Sequence, residues 1–297
     1  MKQNNQGHQS GFVSIIGLPN VGKSTLLNQL VGENLSIVTH KPQTTRHRIL
    51  GILSEPTYQI VLSDVPGYIS RKGYLMHQRM NEFVHESFED ADIILVLVDP
   101  AMKEVMAPDL IERIKRSSVP KLLIINKADV STEEELEAAK ERWEQLLTFD
   151  ENLIISAQEE SHRSLLIDVI LKYLPEGPAY FPDDQMADRD VRFFVSEFIR
   201  EEIFLQFRQE IPYSSEVDIE EYKELEDIVH INAMIYVERK SQKYILIGKN
   251  GEAIKQLGIE SRKRIEKFIG KKVFLQLHVK VREKWRDNKN LLQRFGY

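Results

Sequence analysis

The chain has 297 residues, of which 42% are hydrophobic and 29% charged, with a formal net charge of −6. This length predicts about two domains of ~150 residues each. No run approaches the ~18 apolar residues that span a bilayer, and we expect the polar N-terminus to be neither a secretory signal nor a membrane anchor. The chain has no cysteine, which excludes disulfides, thiolate metal sites and cysteine nucleophiles and fits a reducing cytoplasm.

The net charge hides an uneven distribution along the chain. Residues 1–185 hold 18 basic and 27 acidic residues, and residues 186–238 hold 5 and 14. Residues 239–297 hold 17 basic and 5 acidic residues, a net of +12. A basic block on an acidic protein favours a polyanion-binding surface at that end, although a solvated helix face has the same composition.

The first half alternates short apolar runs with helical patterns. We predict strands at residues 12–17, 58–63, 93–98, 121–125 and 153–156. Helices are expected between them, at residues 23–31, 74–89, 108–117, 132–147 and 164–174. This alternation predicts an α/β domain with a mostly parallel sheet. We assign residues 11–175 to it and residues 1–10 to a disordered tail.

A second domain is predicted after a break. Residues 176–190 are rich in proline and acidic residues, which indicates a linker. Residues 191–297 then form an α+β domain that begins with a helix. Its predicted elements are a helix at 191–207, strands near 215–219 and 229–237, two short helices around 248–251 and a strand at 273–281.

A phosphate-binding loop is predicted at residues 17–24, which read GLPNVGKS and match G-x-x-x-x-G-K-[ST]. The loop follows a predicted strand and precedes a predicted helix, so its glycines let backbone N–H groups surround an anion at the helix N-terminus. Lys23 would supply charge to the outer phosphates, and the Ser24 hydroxyl can bind Mg²⁺. The alternative is a chance glycine turn, which this strand–loop–helix context disfavours.

A second motif, DVPG at residues 64–67, follows the predicted strand at 58–63. Asp64 lies at the carboxyl end of a strand, where it can reach the Mg²⁺ shell through water, and the N–H of Gly67 can sense a terminal phosphate. Pro-Gly turns are common, so the motif is weak alone. Its distance of forty residues from Ser24, behind a buried strand, makes it a strong signal.

A base-recognition motif, NKAD at residues 126–129, follows the predicted strand at 121–125. A carboxylate accepts hydrogen bonds from guanine N1–H and the N2 amine, and adenine lacks both donors, so Asp129 selects guanine and conflicts with an ATPase. Asn126 would tie this loop to the phosphate loop, and the Lys127 stem would pack over the base. The alternative is a polar turn at a strand end.

Two residues after the last predicted strand, Ser156 and Ala157, complete the base site. Their backbone N–H groups could meet the guanine carbonyl oxygen. The residues assigned to the nucleotide are Gly17, Leu18, Pro19, Asn20, Val21, Gly22, Lys23, Ser24, Thr25, Asp64, Val65, Pro66, Gly67, Asn126, Lys127, Ala128, Asp129, Ser156 and Ala157.

Together these motifs resemble the translation-factor class of P-loop GTPases in order and spacing. Within that class, the loop GLPNVGKS and residues 43–46 (QTTR) resemble the Era family. The resemblance implies that Thr45, in preference to Thr44, is the switch-loop hydroxyl that joins Mg²⁺ when GTP is bound. The implied metal ligands are Ser24, Thr45 and Asp64, and the implied catalytic residues are Lys23, Thr45 and Gly67.

Two positions bear on the rate of hydrolysis. Ras-like enzymes place a glutamine after D-x-x-G to orient the attacking water. Here the residue is Tyr68, which we expect to be a packing group of the switch and not a general base, so intrinsic turnover should be slow. Asn20 resembles the phosphate-loop asparagine that helps hold a potassium ion in related enzymes, and Pro19-Asn20 equally fits a plain turn.

The basic block contains a G-x-x-G loop, GKNG at residues 248–251, between two predicted helices. Its glycines let the backbone approach a sugar-phosphate chain closely, and the following helix N-terminus favours phosphate. The loop resembles that of a KH domain, which clamps about four nucleotides of single-stranded RNA, and the helix-first order resembles type II. The predicted RNA-binding residues are Gly248, Lys249, Asn250, Gly251, Lys255 and Arg262. A plain helix–turn–helix junction and a basic surface for anionic lipid are the alternatives.

The resemblance extends to the C-terminus and so covers nearly the whole chain. Its departures are Val65, Tyr68 in place of a leucine, and Gln158 in place of a frequent lysine, and none removes a ligand. Trp285 could stack on a base, but we favour a place in the domain core.

The resemblance implies a GTP-hydrolysing molecular switch with Mg²⁺ as cofactor. It further implies binding to the single-stranded 3′ end of 16S ribosomal RNA during assembly of the 30S subunit, and a weak peripheral contact with the bacterial inner membrane. We expect a cytoplasmic monomer. The alternative from another class is a signalling GTPase whose basic C-terminal domain binds protein or anionic membrane.

Overall fold

The computed structural model describes residues 7–70 and 73–297. The described residues divide into two compact units. The first comprises residues 7–36, 45–70 and 80–188, and the second comprises residues 37–44, 73–79 and 189–297. Within the described ranges, no helix is long and apolar enough to cross a membrane.

A six-stranded sheet forms the centre of the first unit. Its strands are β1 (Gln9–Ile16), β2 (Ile49–Glu55), β3 (Tyr58–Asp64), β4 (Ile93–Val98), β5 (Lys121–Ile125) and β6 (Glu151–Ile154). Their order is β2-β3-β1-β4-β5-β6, and every neighbouring pair is parallel except β2 and β3. All six residues of β4 are buried, as expected for a strand of a parallel sheet that is covered on both faces. The predicted α/β class is confirmed.

In the described part of the chain, five α-helices follow strands of this sheet. They are α1 (Lys23–Val31), α2 (Leu75–Glu89), α3 (Pro108–Arg116), α4 (Glu133–Glu144) and α5 (Ser161–Tyr173). Helix α4 begins after Thr132, which forms a reciprocal capping box with Glu135, so two backbone N–H groups are satisfied at its start. The predicted phosphate loop starts directly after β1 ends at Ile16, and its last two residues begin α1 at Lys23, which places the loop at the carboxyl edge of the sheet.

Several elements differ from their predicted bounds, and one strand was not predicted. Strand β2 was not predicted, and it pairs antiparallel with β3 at the sheet edge. Strand β6 lies two residues earlier than predicted. Strand β1 begins at Gln9, which pairs with Tyr58 of β3, and the Gln9 side chain donates to the main-chain oxygens of Leu171 and Leu174, at 3.0 and 2.8 Å. The predicted tail is therefore wrong for Gln9 and Ser10, and residues 1–6 of it lie outside the described residues.

The predicted linker is ordered along the first unit for most of its length. Glu176 forms an isolated antiparallel bridge with Gln9, and Ala187 forms one with Gly51 at the edge strand β2. Backbone pairing of this kind removes the freedom that a Pro-rich composition suggests. Residues 176–188 are thus part of the first unit.

Among its described residues, the second unit contains a three-stranded sheet, five further α-helices and residues 75–79 of α2. Its elements are α6 (Val191–Gln206), α7 (Ile211–Ser214), β7 (Ser215–Glu224), β8 (Ile228–Val237), α8 (Lys240–Ile247), α9 (Glu252–Ile269), β9 (Lys272–Val281) and α10 (Lys289–Arg294). In the order β7-β8-β9, the first pair is antiparallel and the second parallel. Helix α9 has 18 residues and is not the short helix predicted. Trp285 is 0% exposed and donates to Ser214 O at 2.9 Å, which confirms its place in the core.

Candidate nucleotide and RNA sites

The phosphate loop depends on its two glycines. A Cβ on Gly17 would lie 2.4 Å from the main-chain oxygen of Leu97, so no larger residue fits there. Gly22 has φ +105°, and a Cβ there would lie 2.3 Å from Asn126 Nδ2. Only glycine adopts such a backbone without strain. The chain can therefore turn tightly from β1 into α1 and present N–H groups at a helix N-terminus, where anions bind.

Lys23 is held across this loop. It is 7% exposed, and its Nζ donates to the main-chain oxygens of Gly17 at 3.1 Å and Leu18 at 2.9 Å. Burial lowers the pKa of Lys23 to about 8, against the opposing effect of the Asp64 carboxylate. Bound phosphates are anionic and would favour the charged ammonium form of Lys23 at this position. This is what its predicted role of supplying charge to the outer phosphates requires.

The three predicted metal ligands meet beside Lys23. Ser24 Oγ donates to Asp64 Oδ2 at 2.6 Å and lies 2.9 Å from Thr45 Oγ1. Asp64 is fully buried, and burial raises its pKa against the charge of Lys23 and the hydrogen bond from Ser24. Its Oδ1 is buried without a hydrogen-bond partner among the described residues. Because Mg²⁺ prefers oxygen ligands and carboxylates, two hydroxyls and an unshared carboxylate oxygen fit this ion.

The DVPG motif lies against the phosphate loop. A Cβ on Gly67 would come 2.8 Å from Pro19 Cγ, so the glycine permits close approach of the two segments. The next residue, Tyr68, donates its hydroxyl proton to Asp109 of α3 and packs against the apolar core of the first unit. Burial and the hydrogen bond to Asp109 raise the pKa of Tyr68 to about 12. The phenol therefore keeps its proton at neutral pH, as expected for a packing group.

The NKAD motif is joined to the phosphate loop as predicted. Asn126 is 2% exposed, and its Nδ2 donates to Val21 O at 2.8 Å. Lys127 has φ +64° and donates from Nζ to Asp99 Oδ2 at 2.6 Å. Asp99, directly after β4, was not predicted, although a carboxylate after a buried apolar run is a usable signal. Asp129 is exposed in the 3-10 helix that follows.

The N–H groups predicted to meet the guanine oxygen donate elsewhere in this structure. The N–H of Ala157 donates to Asn126 Oδ1 at 2.8 Å, and the N–H of Ser156 donates to His162 Nδ1 at 3.2 Å. Ser156 is 1% exposed. A contact of either N–H group with a base would require these hydrogen bonds to be shared or exchanged, and the role of this pair in base recognition stays a prediction.

Two residues near the metal ligands were not predicted from the sequence. Ser36, in the loop between α1 and β2, donates from Oγ to Asp64 Oδ2 at 2.6 Å. Asn28 of α1 bonds to the backbone of that loop through its side-chain amide. Neither belongs to a sequence motif, because their contacts arise from the path of the loop.

The G-x-x-G loop has the backbone that its glycines predict. Gly248 and Gly251 have φ +73° and +78°, and Asn250 between them has φ +54°. A Cβ on Gly248 would lie 2.6 Å from Ala253 Cβ, so the loop packs tightly on α9. Lys249 and Asn250 are exposed at its tip.

A groove of about 510 Å³ lies next to the G-x-x-G loop, since two of its lining residues, Ile247 of α8 and Ile254 of α9, flank the loop in the chain. Its lining residues are Met234, Lys243, Ile247, Ile254, Leu277, His278, Val279 and Lys280. Lys255 is exposed on α9, and Arg262, also exposed, lies 4.0 Å from Glu266 Oε1. An apolar floor with lysines at its border can hold stacked bases and the phosphates that join them.

Comparison with known proteins matches both units to families. A model described as "50S ribosome-binding GTPase" matches residues 12–127, and a KH domain model matches residues 210–286. The GTPase Era of Syntrophus aciditrophicus is 45% identical over 97% of this chain and 95% of that protein. The chain belongs to the Era family of GTPases. A chloroplastic Era-like GTPase of Oryza sativa is 44% identical over 98% of the chain and 70% of its own length.

Solved Era structures share the whole fold. A crystal structure of Era in complex with MgGDPNP and nucleotides 1506–1542 of 16S ribosomal RNA has a TM-score of 0.88, with 35% identity over 98% of this chain and 99% of that one. A point variant of Aquifex aeolicus Era bound to GDP.AlF4− has a TM-score of 0.87, with 35% identity over 97% and 99%. The fold of this chain is therefore that of these two Era structures over nearly its whole length.

Proposed function

We propose that this Era-family chain is a GTP-hydrolysing switch that binds the 3′ region of 16S ribosomal RNA and acts in maturation of the 30S subunit. The observation that carries the nucleotide part is the meeting of Ser24, Thr45 and Asp64 beside the phosphate loop. The RNA part is supported by the exposed tip Lys249-Asn250 beside an apolar groove. It is supported further by the Era complex that contains this RNA segment.

In this proposal the site works by positioning and charge. Lys23 and the loop N–H groups hold the outer phosphates, while Asp129 selects guanine. Ser24, Thr45 and Asp64 would hold Mg²⁺, which when bound neutralises charge that develops on the phosphate oxygens. In the proposal, Thr45 and Gly67 respond to the terminal phosphate, so that GTP would order their loops and hydrolysis would release them.

Slow intrinsic turnover is part of the proposal. Tyr68 stands where a glutamine would orient water, and its hydroxyl is bonded to Asp109. A potassium ion beside Asn20 would add a second positive charge near the phosphates, next to that of Lys23. Phosphate release measured in potassium and in sodium buffer at equal ionic strength tests this part, and equal rates would remove the potassium ion from the proposal.

The RNA part is tested with a double substitution, Lys249→Asp with Asn250→Asp. The chain offers a matched control, because Lys289 and Asn290 are the same pair of residues, also exposed, in α10. The loop variant should lose affinity for the 3′ RNA segment by about tenfold or more, because a phosphate contact becomes a repulsion. GTP affinity should be unchanged. Equal losses in the loop and control variants would mean that the loop is not a specific RNA contact.

Crosslinking in cells followed by sequencing separates this function from the rival. Recovery of the 3′ end of 16S ribosomal RNA supports it, whereas scattered RNA would favour a signalling GTPase that binds protein or lipid.

A cytoplasmic monomer with weak peripheral membrane contact is included in the proposal. Light scattering tests the monomer, and flotation with anionic vesicles over a range of salt tests a contact that could only be electrostatic.

A further inference from the structure

The loop after α1 is held in place by one side chain. Asn28 Oδ1 accepts hydrogen bonds from the N–H groups of Leu35 at 3.0 Å and Ser36 at 2.8 Å. Its Nδ2 donates to the main-chain oxygen of Ser36 at 2.7 Å. An amide offers two donors and two acceptor sites, so most of its capacity is spent on these two residues. Because Asn28 lies four residues after Ser24, the two side chains lie on the same face of α1.

The segment that Asn28 holds carries a hydroxyl to the metal site. Ser36 is 4% exposed and Asp64 is 0% exposed, and Ser36 Oγ donates to Asp64 Oδ2 at 2.6 Å. The same oxygen accepts from Ser24 Oγ at 2.6 Å. Two hydroxyls from different segments therefore fix this carboxylate through one oxygen and leave Oδ1 as the acceptor that no described residue uses.

We propose that Ser36, held by Asn28, is a positioning residue for the Mg²⁺ site, because it fixes the orientation of the Asp64 carboxylate. This inference rests on the proposed function, in which Asp64 serves the ion. Residues that orient a metal-binding carboxylate commonly change metal affinity by about 10- to 100-fold when they are removed. If the role of Ser36 were purely structural, removal of its buried hydroxyl would change the stability of the fold and would leave the response to Mg²⁺ unchanged.

The test measures the Mg²⁺ concentration that halves the release rate of a fluorescent GDP analogue. Ser36→Ala should raise that concentration by about tenfold or more, while analogue affinity in EDTA stays unchanged. Asn28→Ala should shift it in the same direction. The double variant should shift it no further than Ser36→Ala alone, since both residues act through one contact.

Ser87→Ala is the matched control. Ser87 is also a fully buried serine of the first unit, and its hydroxyl donates only to the backbone of its own helix, at Val84 O. Melting temperatures without nucleotide are measured for all variants, so that loss of folding is seen directly.

Two results would overturn the inference. One is a Ser36→Ala shift in Mg²⁺ dependence no larger than that of Ser87→Ala. The other is an equal loss of analogue affinity with and without Mg²⁺. If the unaltered protein itself bound the analogue with no Mg²⁺ dependence, the proposed function would fail instead, so the two failures are distinguishable.

Discussion

Asn126 donates from its side-chain Nδ2 to the main-chain oxygen of Val21 over 2.8 Å. Its Oδ1 accepts the N–H of Ala157, also over 2.8 Å. One buried amide thus joins the phosphate loop to both loops assigned to the base. Because neutral hydrogen bonds between buried groups are costly to leave unmade, the three loops should move as one body when nucleotide binds.

The close contact between Asn126 and the phosphate loop yields the first prediction. Gly22→Ala would force a side chain into a backbone with φ +105° and place its Cβ 2.3 Å from Asn126 Nδ2. We expect the affinity for GDP to fall by about 100-fold or more, because the phosphate loop and its hydrogen-bonded contact with Asn126 would both shift. Gly32→Ala is the control, because Gly32 also has positive φ, +88°, but nothing lies within 4 Å of its Cβ. That variant should lose about 1 kcal/mol of stability and keep GDP affinity.

Guanine selection by Asp129 gives the second prediction. Asp129→Asn exchanges a carboxylate that accepts two guanine hydrogen bonds for an amide that also donates. Affinity should move from GTP toward xanthosine triphosphate, whose base has an acceptor where guanine has its amine. Competition of both nucleotides against a fluorescent GDP analogue measures the shift. Unchanged GTP affinity would show that Asp129 does not read the base.

The parts of the site that could be predicted are those with local spacing. Lys23 and Ser24 follow a glycine turn at the start of a helix, so strand, loop and helix can all be read within a few residues. Ser36 has no such signature, since its contact with Asp64 depends on a long loop between α1 and β2. Long-range contacts of this kind are decided by the path of the chain and not by composition.

The fold also divides into elements that could be predicted from the sequence and elements that could not. The buried parallel strands were predicted because their continuous apolar runs match burial on both faces. The edge strand β2 was missed, because its pairing with β3 depends on a tight reversal and not on an isolated pattern. Residues 176–190 read as a linker by composition, yet Ala187 pairs with Gly51. Backbone pairing is open to almost any residue type, so composition says little about it.

The third prediction concerns Tyr68 and Asp109. Tyr68→Phe removes the hydroxyl that donates to Asp109 but keeps the ring that packs on the core. We expect GTP turnover to change by less than about threefold, because a phenol with a pKa of about 12 is not a base at neutral pH. Phosphate release under single-turnover conditions checks this. Asp109→Asn, which keeps an acceptor oxygen, is the companion variant, and a collapse of turnover in Tyr68→Phe alone would assign the phenol a chemical role.

The fourth prediction concerns the stability of the second unit. Arg200 of α6 is 0% exposed and donates to both carboxylate oxygens of Glu197 at 2.7 Å and to Thr44 O at 2.6 Å. Arg200→Met would leave the Glu197 charge buried without its partner, which costs about 3–5 kcal/mol. Lys263→Met is the control, because its pair with Glu260 is exposed and such pairs contribute about 1 kcal/mol or less.

Tryptophan fluorescence can report the unfolding of the second unit separately. The chain has two tryptophans, Trp143 in the first unit and Trp285 in the second. In a Trp143→Phe background, denaturant unfolding followed by Trp285 emission reports the second unit alone. Arg200→Met combined with Glu197→Leu should recover most of the lost stability, since an apolar pair replaces a buried ion pair at little net cost. The prediction is contradicted if Arg200→Met lowers the free energy of unfolding no more than Lys263→Met does. That result would mean that water solvates the Glu197 carboxylate, in conflict with the burial of the pair.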